Sequence, residues 1–247
     1  MNLSEFRPIG RNSDKSLNLA FSFFFVFFTI PISVFPFLAY NDFMDFMIVF
    51  QIVVLICSAV IHEVSHGYVA QALGDKTAEE AGRLTLNPLK HLDLYGSFLL
   101  PLILYYVSQG TFVFGWAKPV PYNPYNLKDP KKGGALIAAA GPASNFLLAI
   151  VFAVAIRLFG GMAFFTSVLP LFAAVIFINL LLGIFNLVPI PPLDGSKILF
   201  GFLPRSAERF EHMISRYGMV ILIFFIFFGW NFIFPVVYFL FRLLAGI

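Results

Sequence analysis

The chain has 247 residues, of which 60% are hydrophobic, 18% aromatic and only 12% charged, and its formal net charge is +3. A soluble domain is about half apolar and about a quarter charged, and no soluble core of this size houses 34 Phe, so a water-soluble globular fold is excluded. The expected fold class is an all-α polytopic membrane protein with about five to six transmembrane helices, a re-entrant segment and a short extended (β-like) loop.

Residues 1–16 are polar and carry Arg7, Arg11 and Lys15. The apolar run that follows, Leu17–Tyr40, is longer than a signal-peptide core and ends without a small-x-small cleavage pattern, so it reads as a retained first transmembrane helix. Phe46–Leu73 is the second candidate span, and the single cysteine, Cys57, is a small apolar filler within it; one cysteine permits no intrachain disulfide. The run 94–110, LYGSFLLPLILYYVSQG, is short, holds Pro101 at its centre and is bounded by Gly96 and Gly110. It reads as a re-entrant segment. Residues 111–134 are rich in Pro and Asn and form a loop, of which FVFGWAKPVPYN has the aromatic and β-branched content of a short extended segment. Ala135–Leu158 and Phe164–Leu187 are further spans. Tyr217–Leu244 is the last, with a bend near Gly229 or Pro235.

Charge selects among the topologies. If 94–110 enters and returns, the N-terminus, 74–134 and 188–216 share one side and hold 14 of the 16 Lys and Arg. The opposite loops, around 41–45 and 159–163, hold none, and the first carries Asp42 and Asp45. This is a positive-inside pattern with the basic side cytoplasmic, in the plasma or inner membrane of a cell. His91 and His212 lie among polar residues of that side and read as surface histidines.

HEVSH, residues 62–66, sits inside the second span. On a helix His62 and His66 share a face, and their imidazoles can converge on one metal. Glu63 lies about 100° round, beside the metal rather than on it. Two zinc ligands and a general base in this spacing are the HExxH arrangement. The plain alternative is two core histidines bonded to neighbouring helices, but two of only four histidines fall in this pattern. A catalytic zinc takes a third protein ligand and leaves a position open. The candidate is Asp194 in FNLVPIPPLDG, residues 185–195, where Pro189, Pro191 and Pro192 forbid regular helix. Unwound backbone at membrane depth is tolerated only when buried in protein or lining a wet cavity, and an Asp there is a functional candidate. The plain alternative is a turn Asp capping the next segment. In the topology above both motifs come at cytoplasmic helix ends and share one depth.

HEVSH in one transmembrane helix with NLVPIPPLDG in a later one resembles the site-2 protease family of intramembrane zinc metalloproteases. AAAGPASN, residues 138–145, resembles the small-residue entry to that family's middle core helix. The resemblance runs from about 46 to 200 and divides the chain into 1–45, a cytoplasmic tail and first helix; 46–200, the protease core; and 201–247, a cytoplasmic linker and last helix. It implies one Zn2+ per chain held by His62, His66 and Asp194, Glu63 as the base, and Asn186 on the substrate backbone or the oxyanion. The expected partners are a transmembrane protein substrate and the lipid bilayer, with no nucleic acid. Nothing in the sequence sets an oligomeric state. PDZ and CBS domains, present in larger members, have no room here. The loop 111–125 is the candidate edge against which an unwound substrate strand pairs. Two other readings stay open: a transporter, since broken helices with His and Asp also build ion paths, and an inactive zinc-binding scaffold for membrane helices. Glu63 in the base position and the lack of a repeat argue against the first, and the intact ligand set against the second.

Overall fold

In hydrocarbon each backbone N–H and C=O must be satisfied within its own segment, so long runs of Val, Ile, Leu and Phe wind into helix. The computed structural model describes residues 26–27, 41–107, 109 and 113–246. Helix α1 (Asn41–Ala72) carries HEVSH near its C-terminal end. A one-turn helix, α2 (Thr77–Glu80), follows. A π-helical turn, Leu94–Leu99, leads into α3 (Leu100–Val107). Asp93 starts that turn by accepting hydrogen bonds from Tyr95 N and Gly96 N. The chain then comes back along itself: Trp116 N–H donates to Gly96 O, and Ser97 Oγ donates to Trp116 O.

Helix α4 (Pro130–Phe159) starts where sequence chemistry places a start. Asp129 accepts from Lys131 N and Lys132 N, and Pro130 occupies the first position. Helix α5 (Leu169–Asn186) ends where the prolines of PIPP begin. Helix α6 (Asp194–Phe202) restarts at the aspartate. Gly195 is required there, because a Cβ would collide with the Leu187 and Val188 carbonyls. Helices α7 (Glu208–Phe228) and α8 (Trp230–Ala245) meet at Gly229, so the expected bend in the last apolar run falls at the glycine, and helix begins nine residues ahead of the predicted Tyr217. Side chains of α7 (Leu222, Ile226) pack on Phe185 and Leu193. Those of α8 (Ile233, Val237, Phe241) pack on Ala149, Ala153, Ile176 and Leu180 of α4 and α5. The two helices thus run past α5 as one bent path from its C-terminal to its N-terminal end.

Among the described residues the fold is all-helical apart from one antiparallel pairing of two residues each, β1 (Val26–Phe27) with β2 (Val113–Phe114). Four helical stretches among the described residues are long and apolar enough to cross a membrane: Phe46–Ala72, Pro130–Phe159, Leu169–Asn186 and Arg209–Phe228. With its several apolar helices, this is a multi-pass membrane protein. Of the predicted first helix, Leu17–Tyr40, only Val26 and Phe27 are described, and they are a correction: they form strand, paired with Phe114 and Val113, rather than helix. Helix α4 is central and contacts α1, α5, α6 and α8. Cys57 lies in α1 as expected but faces outward rather than into the core.

Candidate metal centre and active site

The C-terminal end of α1, the N-terminal half of α4 and the start of α6 converge. They bring His62, His66 and Asp194 together across 132 positions of sequence. Asp194 Oδ2 lies 3.0 Å from His62 Nε2 and 3.2 Å from His66 Nε2. All three side chains are buried. Both Nδ1 atoms are occupied. His62 Nδ1–H donates to Asn145 Oδ1 at 2.6 Å, and His66 Nδ1–H donates to Ile137 O at 2.6 Å. Asn145 must present its oxygen to His62, because its Nδ2 donates to Asn179 Oδ1. With Nδ1 carrying the proton, each neutral imidazole presents a lone pair at Nε2. Two lone pairs then face the same carboxylate oxygen, each within 3.2 Å of it, in a buried site. Such a set of acceptors repels unless a cation sits among them, and the donor types are those of a zinc centre with an open position. His62, Glu63 and His66 also offer ligand atoms within 4.8 Å of one another. Glu63 stands beside them, anchored from the loop: its Oε2 accepts from Val120 N at 3.0 Å, and its Oε1 has no protein hydrogen-bond partner among the described residues.

Behind the histidines a polar spine crosses three helices. Asn179 Nδ2 donates to Ser58 Oγ and to Val175 O, and Asn179 Oδ1 receives Asn145. Asn145 and Asn179 are fully buried. Gly141, one turn before Asn145, lies against His62, and a Cβ there would meet the imidazole. The GPASN stretch therefore supplies both the space for His62 and the acceptor that orients it. In front, a cavity of about 10 Å³ is bounded by His66, Val120, Tyr122, Ile137, Asp194 and Lys197, room for about one water molecule. Lys197 Nζ stands 3.8 Å from the second oxygen of Asp194.

Asn186 ends α5, buried, with its Nδ2 donating to Leu182 O; no hydrogen bond joins it to the histidine–aspartate cluster. His212 is exposed, as expected of a surface residue. His91 is a correction. It is buried, its Nε2–H donates to Thr85 O, and its own carbonyl accepts from Lys118 N. Burial is the main cause that holds its imidazole below the ordinary histidine value. It is inside because the loop 83–93 folds under the extended stretch 115–123. Asp75 pins the same layer by accepting from Thr77 N, Thr77 Oγ1, Asn123 N and Asn126 Nδ2. Burial pushes its carboxyl up, but these bonds outweigh burial and leave it below the usual range. Sequence reasoning left Asn145 and Gly141 without a role and passed over Asn179, Ser58, Arg83 and Val120. A lone Asn inside an apolar helix was signal enough for Asn179.

Residues 50–167 and 156–225 match Peptidase family M50. Among curated proteins, the chain is 39% identical over 178 residues to "Putative zinc metalloprotease YwhC" of Bacillus subtilis, covering 70% of this chain and 77% of that one. It is 28% identical over 169 residues to "Putative zinc metalloprotease Rip2" of Mycolicibacterium smegmatis, covering 67% and 62%. It is 27% identical over 154 residues to "Zinc metalloprotease MJ0392" of Methanocaldococcus jannaschii, covering 62% of this chain but 34% of that longer protein. No solved structure matches the chain. The family match spans well over half of the sequence and contains HEVSH, GPASN and PPLDG alike, and the chain belongs to peptidase family M50, the site-2 proteases that its motifs resemble.

Proposed function

We propose that the protein is an intramembrane zinc metalloprotease that hydrolyses peptide bonds within or near the transmembrane segments of other membrane proteins. One observation carries the reading: two imidazole lone pairs and the Asp194 carboxylate converge, each imidazole fixed from behind by a hydrogen bond at Nδ1. His62, His66 and Asp194 are the residues that would hold the zinc. Glu63 is assigned as the base rather than as a ligand: its Oε2 is anchored by Val120 N, and its Oε1 has no protein partner among the described residues. When bound, zinc supplies a Lewis acid that polarises the scissile carbonyl and acidifies water. Glu63 then takes the proton of the attacking water and returns it to the leaving amine. Asn186 gives one Nδ2 proton to Leu182 O and would serve the substrate backbone or the oxyanion with the other.

The protease core of 46–200 is reached from the cytoplasmic side in this reading. The 14 residues of 94–107 rise about 20 Å at 1.5 Å each, short of the roughly 30 Å hydrocarbon core. The hydrogen bond from Trp116 N to Gly96 O returns the chain to its level of entry. A re-entrant 94–110 and four crossings by α1, α4, α5 and the bent α7–α8 path fit the charge pattern of 74–134 and 188–216. A substrate strand pairing with 111–125 would find few donors. Among 116–121, Trp116, Lys118 and Val120 N–H are already bonded, and Pro119 and Pro121 have none, which leaves Ala117. A transporter or an inactive scaffold is not favoured, because family membership and an intact ligand set accompany the base.

The test is cleavage in proteoliposomes of a peptide that spans the bilayer once, with the cut bond located by mass spectrometry. We expect a cut inside or beside the apolar segment, lost with a chelator and restored by zinc. Cleavage that survives complete removal of metal would contradict the proposal.

A further inference from the structure

Arg83 and His91 are buried basic residues that the reaction above does not use, and both lie in electrostatic reach of Glu63. They sit on the far side of the extended stretch 115–123 from the metal centre. Arg83 Nη2 donates to Lys118 O at 2.6 Å and to Pro119 O at 3.2 Å. These are the two carbonyls that precede the Val120 amide. Lys118 N–H is tied to His91 O at 2.8 Å, and the His91 ring is tied to Thr85 O. Pro119 and Pro121 flank Val120 and have no N–H, so the tripeptide offers one donor, and that donor points at Glu63 Oε2. The residue before a proline is held to extended backbone, which further fixes the direction of the Val120 amide. Arg83 is 7% exposed, Val120 5% and Glu63 1%, so the end of this chain of contacts that meets Glu63 is shielded from competing water.

Resting on the proposed role of Glu63 as base, we propose that Arg83 is a positioning residue for catalysis: by clamping the Lys118 and Pro119 carbonyls it aims Val120 N–H at Oε2 of Glu63, which leaves Oε1 as the oxygen that receives the proton. Among the described residues Oε1 has no protein hydrogen-bond partner. A carboxylate with one oxygen anchored has a single orientation to offer. A base free to rotate loses alignment, and a misplacement of about 1 Å costs on the order of 10² in rate.

The experiment compares kcat, KM and zinc content for wild type, Arg83→Gln, Arg83→Lys, Val120→Pro, the Arg83→Gln/Val120→Pro double variant and Glu63→Gln, all as full-length protein in proteoliposomes. Val120→Pro removes the one donor without touching Arg83. We expect kcat to fall by about 10–100-fold in Arg83→Gln and in Val120→Pro, with KM and one zinc per chain retained, and a smaller fall in Arg83→Lys, which keeps the buried cation. The double variant should match the worse single variant to within about twofold, because both changes cut the same chain of contacts. A double variant as slow as the product of the two single effects overturns the inference. So does a loss confined to KM or to zinc content, which marks Arg83 as a plain structural clasp. If Arg83→Gln does not accumulate in the membrane, Val120→Pro and Arg83→Lys decide on the same kcat criterion. Glu63→Gln separates the two levels: turnover surviving in that variant defeats the base assignment itself, whereas a dead Glu63→Gln beside a normal Arg83→Gln defeats only the role of Arg83.

Discussion

Gly141→Ala sets two physical effects against each other. In a helix interior the exchange is intrinsically favourable by about 1 kcal/mol, so propensity alone makes the variant more stable. The site says otherwise. A Cβ at 141 lies 2.6 Å from His62 Cδ2, while carbon atoms rest about 3.5–4.0 Å apart. The imidazole must therefore retreat by about 1 Å. It has nowhere to go, being fully buried and held by Asn145 at 2.6 Å. Zinc–nitrogen bonds are about 2.0–2.1 Å and tolerate about 0.2 Å, so a shift of that size takes His62 out of coordination. Loss of a mere orienting partner costs about 10–100-fold in metal affinity, and displacement of the ligand itself should cost at least the upper end of that range. The assay is zinc retention by detergent-purified protein against a series of chelators, alongside thermal unfolding. We expect a folded variant with zinc affinity down by about 100-fold or more. Wild-type zinc affinity in Gly141→Ala would refute the placement of His62 against α4.

Three further predictions draw on the same geometry. Asn145→Ala strips partners from buried His62 Nδ1 and Asn179 Oδ1, at about 1–3 kcal/mol per group, and loosens zinc by about 10–100-fold; unfolding and chelator competition should both register it, and no change in either would count against the spine. His91 is held below its ordinary value chiefly by burial, so the unfolded chain binds the extra proton first; the stability His91 contributes is complete above the unfolded value of about 6.5 and drains away as pH falls through the folded value. Melting curves from about pH 7.5 down to about pH 5.5 should therefore fall more steeply for wild type than for His91→Gln, and parallel curves would contradict the burial of His91. Tyr125, 90% exposed, reports topology: Tyr125→Cys in a Cys57→Ser background should react with an impermeant maleimide only after permeabilisation, and labelling of intact cells would place 111–134 outside.

The sequence made the long helices and the convergence of His62, His66 and Asp194 legible because both are written in local chemistry. Apolar runs of spanning length favour helix in lipid, HEVSH puts two imidazoles on one helix face by spacing alone, and prolines before Asp194 mark where helix must stop. Helix ends were less legible. The start of α7 at Glu208 rather than Tyr217 rests on a polar turn that continues an apolar helix, and hydropathy is blind to it. The supports of the site were hidden for a different reason. Gly141 and Asn145 acquire meaning only when α4 crosses α1 at His62, and Val120 only when the loop 115–123 folds onto Glu63; nothing local announces such contacts. His91 was misplaced because polar neighbours in sequence were taken for solvent, while the loop that carries it tucks beneath that stretch.

The most direct measurement is zinc stoichiometry and turnover on one preparation of Glu63→Gln. Glutamine keeps the size and the acceptor for Val120 N–H but cannot take up the proton. One zinc per chain with turnover lower by about 10²–10⁴ is the predicted result. Near-normal cleavage of a membrane-embedded peptide by that variant, or loss of its zinc, would contradict the assignment of Glu63 as the base beside a site held by His62, His66 and Asp194.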